Sequence, residues 1–203
     1  MAQVRERGRP RGFDAEAALD RAIVVFWRHG YEGASLGDLT AAMGINRPSL
    51  YAAYGNKEEL FRLAVTRYAE VDMAYVRSAL AQPTAYAVIE DFLRANVEAL
   101  TRPDRPAGCL SIQGGIASGS DDGRIAEFLA TSRRAGEQAL ADRLARAVDE
   151  GDLPAGTDPA GLARYVMTVS EGNAVHAAAG VERASLHTTV DFALKAVPGR
   201  ARS

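Results

Sequence analysis

The feature that most restricts this chain is a set of closely spaced helix starts and stops between positions 35 and 57. Ser35 precedes Leu36 and Asp38 follows three residues on, an arrangement in which a hydroxyl and a carboxylate satisfy the free amides of a first helical turn. Leu36, Leu39 and Met43 fall on one face of the helix so started, about Leu36 to Met43, and Gly44 supplies the turn that stops it. Ile45 is expected to be buried. Asn46 then caps a second short helix, about Arg47 to Ala53, and Asn56 caps a longer one that begins at Lys57. A helix, a glycine-bearing turn and a second short helix make a helix-turn-helix unit.

The residues on that second helix are unusual for a surface that only packs. Pro48 is tolerated in the first turn, where a missing N–H has no intrahelical partner. Arg47 beside it, and Lys57 in the first turn of the next helix, set cations against the positive end of a helix dipole. A phosphate backbone supplies the missing reason, since helix amides and a nearby cation together bind an anionic oxygen. Leu50 is expected to turn inward. Arg47, Pro48 and Ser49 are expected at base edges in the major groove, with Ser35, Tyr51, Tyr54 and Lys57 setting register on phosphates.

The remaining chain reads as helical throughout, with no alternating β-branched runs joined by hairpin turns. The fold class expected is all-α, with about nine helices. A first helix starts near Asp14, carries Leu19, Ala22, Ile23 and Phe26 on one face, and ends at Gly30. After Lys57 a single long helix should run to Leu80, stopped by Pro83. Later helices are expected at about Thr84 to Leu100, Cys109 to Ala117, Gly123 to Glu150, Pro159 to Ala179 and Glu182 to Val197. The domains expected are a flexible basic arm (1–13), a helix-turn-helix domain (14–61) and a C-terminal helical domain (62–203).

Net charge is -2 over 203 residues, so the surface as a whole is not basic. The charge is uneven, however. Arg5, Arg7, Arg9 and Arg11 stand against the single acid Glu6 in the N-terminal arm. No apolar run approaches bilayer length, and no apolar stretch follows the arginines as a secretory signal requires. A cytoplasmic location without a membrane partner is expected. One cysteine, Cys109, excludes an internal disulfide, and no Cys/His cluster offers a zinc site, so neither metal nor cofactor is expected.

Residues Phe13 to Phe61, and above all GYEGASLGDLTAAMGINRPSLYAAYGNKEELF from Gly30 to Phe61, resemble the DNA-binding domain of the TetR family of regulators. The resemblance includes Leu50-Tyr51, the aromatic at Tyr54 and the run Lys57 to Phe61. The rest resembles the family in helix layout, in Gly108 to Leu110 and in Glu150 to Pro154. It implies a homodimer on double-stranded DNA at a palindromic operator, a repressor released by a small-molecule effector that binds the C-terminal domain. Pro48, Ala52 and Ala53 depart from side chains that donate to bases. The Gly-Arg-Pro core at 8–10 suits a narrow A·T-rich minor groove, which would add Arg9 and Arg11 to the contact surface.

Candidate lining for an effector pocket comes from Phe92, Asn96, Cys109, Gln113, Glu171, Asn173 and His176, polar or aromatic side chains in or beside apolar helical rows. Tyr75, Phe92 and Phe128 also suit plain core roles. Cys109, near a helix start, offers an alternative within the same architecture, a thiol sensor for electrophiles or oxidants. The last two long helices carry apolar rows and small residues at Gly172, Ala174, Ala177 and Ala178 that suit a two-fold four-helix interface. An enzyme acting through Cys109 or a histidine is the reading from another class. Against it, His29, His176 and His187 have no catalytic or ligand spacing.

Overall fold

The computed structural model describes residues 13–116 and 123–199. Ten helices are present among the described residues, and no strand. Asp14 caps α1 (Ala15–Gly33), accepting from the Ala17 amide at 3.1 Å. Gly30 interrupts α1 at φ 68°, ψ 177°, a conformation open to glycine, and a further turn follows it to Gly33. The expected stop at Gly30 is thus a kink. Two short helices follow, α2 (Leu36–Met43) and α3 (Arg47–Tyr54), with Gly44 left-handed between them at φ 69°, ψ 30°.

The helix expected from Lys57 to Leu80 is broken. It divides into α4 (Lys57–Val71) and α5 (Tyr75–Leu80). The Tyr68 carbonyl takes the amides of both Asp72 and Met73, and three-residue bonds from Val76 to Met73 and Arg77 to Ala74 carry the chain round. Asp72 explains the break. Its side chain turns inward to Arg105 at 2.9 Å and Arg102 at 3.5 Å, both on the loop that follows α6 (Ala85–Leu100). Burial pushes the Asp72 carboxyl above its ordinary range, and the two arginines oppose that push.

The C-terminal helices are α7 (Leu110–Ile116), α8 (Arg124–Asp149), α9 (Pro159–Ala178) and α10 (Arg183–Leu194). Helix α9 packs between α8 and α6, and α10 lies against α6 and α9. At the other end, α1 packs on α2, α4 and α7. Phe26 and Phe61 meet edge to face with centroids 5.0 Å apart, and Trp27 meets Tyr68 at 4.9 Å, so α1 and α4 share an aromatic core. Gly114 on α7 passes so close to Phe61 that an added Cβ would lie 3.1 Å from its ring. Short α7 therefore joins the N-terminal helices to the rest.

Candidate nucleic-acid interface and cavity

The short pair α2 and α3 is held by its caps and by the buried side chains Leu39, Met43, Leu50 and Tyr54. Ser35 accepts from the Asp38 amide at 3.1 Å while Asp38 accepts from the Ser35 amide at 3.3 Å. The Ser35 hydroxyl also donates to Asp38 at 2.6 Å, which holds that carboxyl below its usual range. Ser35 is exposed, but its proton is committed. What this position offers an anion is the free amides of the first turn of α2.

Asn46 caps α3 by accepting from the Ser49 amide at 2.9 Å, and Leu50 is completely buried beneath the helix. With Leu50 inward, Arg47, Pro48, Tyr51, Ala52 and Ala53 are exposed, and Ser49 is half-buried. Tyr51 is 49% exposed, a large fraction for an aromatic. Arg47 makes no ion pair or hydrogen bond among the described residues, whereas Arg62, Arg67, Arg94, Arg102 and Arg105 are all paired. An unpaired guanidinium on the outer face of a short helix is available to an external anion or base edge.

Two expected contacts sit differently. Tyr54 is turned inward, 7% exposed, and donates to the Ala15 carbonyl at 2.7 Å. Its ring packs against Phe13 with centroids 6.1 Å apart, so it fastens α3 to the start of α1 and presents no free hydroxyl outward. Lys57 is half-buried, its Nζ 3.4 Å from the Glu32 carbonyl and 4.6 Å from the centre of the Tyr31 ring. Burial lowers its pKa, with Glu32 opposing. Lys57 thus braces the turn after Gly30 and keeps its remaining N–H donors for an outer partner. Arg9 and Arg11 lie outside the described residues.

A cavity of about 480 Å³ opens between α4, α6, α8 and α9. Of the side chains expected at an effector pocket, Phe92, Asn96, Cys109 and Glu171 line this cavity. Gln113, Asn173 and His176 do not. Asn173 is buried on another face of α9, His176 points to solvent, and Gln113 packs beside Gly108. Helical phase decides this, because residues 167, 170, 171 and 174 of α9 share the cavity side and 173 and 176 fall outside it.

Further residues line the cavity, among them Phe128, which the sequence suits to a plain core role. Val65 on α4, Met73 in the turn after it, Phe128 and Arg133 on α8, and Met167 and Ser170 on α9 border the cavity, and only the packing of these elements marks them. Asn96 donates to the Tyr75 hydroxyl at 3.0 Å, and the Tyr68 hydroxyl lies 3.4 Å from Cys109 Sγ. Burial pushes Tyr75 above its ordinary range. Glu171 is likewise raised by burial, against the pull of Arg133 at 4.0 Å. No helix among the described residues is long and apolar enough to cross a membrane.

Residues 18–64 match the family described as bacterial regulatory proteins, tetR family, and residues 85–191 match the tetracyclin repressor-like C-terminal domain. The HTH-type transcriptional repressor ComR of Escherichia coli is 33% identical over 96% of this chain and 93% of its own length. YezE of Bacillus subtilis, described as an uncharacterized HTH-type transcriptional regulator, is 39% identical over 78% of this chain and 83% of its own. Among solved structures, a cysteine mutant of the TetR family transcriptional regulator CifR, complexed with 26-base-pair operator DNA, superposes with a TM-score of 0.89. It is 40% identical, covering 94% of this chain and 100% of that one.

Proposed function

The chain belongs to the TetR family and is a DNA-binding transcriptional regulator, not an enzyme, and from that premise we propose that it represses by occupying a palindromic operator as a homodimer. Release comes when a small molecule fills the cavity between α4, α6, α8 and α9. The observation that carries this reading is the unpaired, outward Arg47 beside exposed Tyr51 on a helix anchored by buried Leu50. In this reading the N-terminal end of α3 enters the major groove, and the first turns of α2 and α4 seat on phosphates. The arm bearing Arg9 and Arg11 extends the footprint into the minor groove. The DNA-binding part is 14–61, the effector-binding and dimerising part 62–203, and the protein works in the cytoplasm.

Apolar surface left uncovered on the last two helices supports the homodimer. Tyr165 and Val175 on α9 are 37% and 50% exposed, and Phe192 on α10 is 66% exposed. A two-fold pairing of α9 and α10 buries these side chains and sets two recognition helices about one DNA turn, roughly 34 Å, apart. Coupling to the cavity runs through α4, which carries Lys57 at one end and lining residues Val65, Thr66 and Ala69 further along. Linkage makes that coupling reciprocal, so operator DNA weakens effector binding by the factor that effector weakens DNA binding.

In vitro selection of bound duplexes tests the reading. A palindromic consensus bound by two protomers supports it, and failure to enrich any sequence contradicts it. The place of Cys109 on the cavity wall favours a second reading, in which an electrophile alkylates the thiol. Treatment with N-ethylmaleimide, whose double bond takes the sulfur and the thiol proton, then releases wild-type protein from its operator but not Cys109→Ser. Equal responses of the two proteins contradict it.

A further inference from the structure

The cavity has a polar inner end without charge, and this restricts what it holds. The buried lining residues are Val65, Phe92, Asn96, Cys109, Ser170 and Ala174, and none of them carries a carboxylate, an ammonium, a guanidinium or an imidazole. The exposed lining residues Thr66, Glu70, Arg77 and Ser132 mark the mouth, where Arg133 and Glu171 also face one another. A charged group carried to the inner end therefore loses its hydration without gaining a partner.

Two hydrogen-bonding groups at that inner end are unfilled. Asn96 is 5% exposed; its Nδ2 donates to Tyr75, and its Oδ1 has no partner. Ser170 is 6% exposed, and its hydroxyl makes no hydrogen bond to any described residue. Buried polar groups are almost always satisfied in folded proteins, so the orphaned Asn96 oxygen on the cavity wall, with the unbonded Ser170 hydroxyl on the same wall, marks where a ligand's polar group belongs. Val65, Met73, Val76, Phe92, Phe128 and Met167 supply apolar walls for the remainder.

We propose that the effector is an uncharged, largely apolar molecule bearing one hydroxyl- or amide-type group, which enters inner end first and bonds Asn96 and Ser170. This rests on the reading of the cavity as the effector site and adds the chemistry that selects its occupant. Asn96 sets the preference, and its bond to Tyr75 holds the amide in place.

The test uses the full-length protein and four naphthalenes substituted at the same carbon by hydroxyl, methyl, carboxylate or methylammonium, each titrated by calorimetry. The hydroxyl compound is expected to bind about tenfold more tightly than the methyl one, with both charged compounds weaker still. In Asn96→Leu the hydroxyl preference is expected to vanish while the methyl compound still binds. Ser170→Ala, a milder change, keeps the test open if Asn96→Leu fails to fold, and it should lower the same preference severalfold. Tightest binding of a charged compound, a preference unchanged in these variants, or no binding by any of the four overturns the proposal. Tight, selective binding that leaves operator affinity unchanged supports this cavity chemistry and contradicts release by ligand instead.

Discussion

The Tyr54 hydroxyl, 2.7 Å from the Ala15 carbonyl, joins the end of the recognition helix to the first residue of α1. Removing a partner from a buried bond of this kind costs about 1 kcal/mol. Tyr54→Phe is therefore expected to lower stability by about 1 kcal/mol in chemical denaturation, and an unchanged midpoint contradicts the bond's role. The sequence makes Tyr54 look like its neighbour Tyr51, because both lie on one short helix with a hydroxyl to offer. Phase separates them. Tyr54 stands four residues after Leu50 and shares its buried face, while Tyr51 points outward. Asn96 was readable as a polar residue in an apolar row, but its bond to Tyr75 depends on how α5 approaches α6, which no local pattern specifies.

Between elements, the legible part was what caps and glycines control. The limits of α2 and the left-handed Gly44 follow from side chains within a few residues of each boundary. The break between α4 and α5 does not. It depends on Asp72 meeting Arg102 and Arg105 from a loop some thirty residues away, a tertiary interaction that overrides a good helical pattern. A second ionic contact ties α4 to α1, where Arg67 binds Asp20 at 2.8 Å and Glu16 at 3.2 Å. The Arg67 hydrogen bond holds the Asp20 carboxyl below its ordinary value of 3.8. A lowered folded-state value means that this stability is present above 3.8 and lost as pH falls through the lowered value. Asp20→Asn should thus be less stable than wild type at pH 7, with the gap closing as acid protonates the wild-type carboxyl. A gap independent of pH contradicts the ion pair's contribution.

For the molecule as a whole, an all-helical layout was evident from periodicity, whereas the arrangement of α6, α8 and α9 around a cavity was not. Helical patterns show which face is apolar but not which other face it meets. The same ambiguity surrounds α9 and α10, whose exposed Tyr165, Val175 and Phe192 are assigned here to a partner protomer. Phe192→Glu places a charge in that seam and is expected to give monomers by light scattering, with operator binding weakened in parallel; a dimer of unchanged stability contradicts the assignment.

DNA binding by this chain depends on the outer face of α3, with the first turns of α2 and α4, clasping a duplex. The salt dependence of binding to a selected operator measures that clasp. Log affinity should fall linearly with log salt by about 0.9 for each phosphate neutralised, and Arg47→Ala should weaken binding while its fold stays intact. Binding that ignores salt, or an Arg47→Ala protein that holds the operator as tightly as wild type, contradicts it.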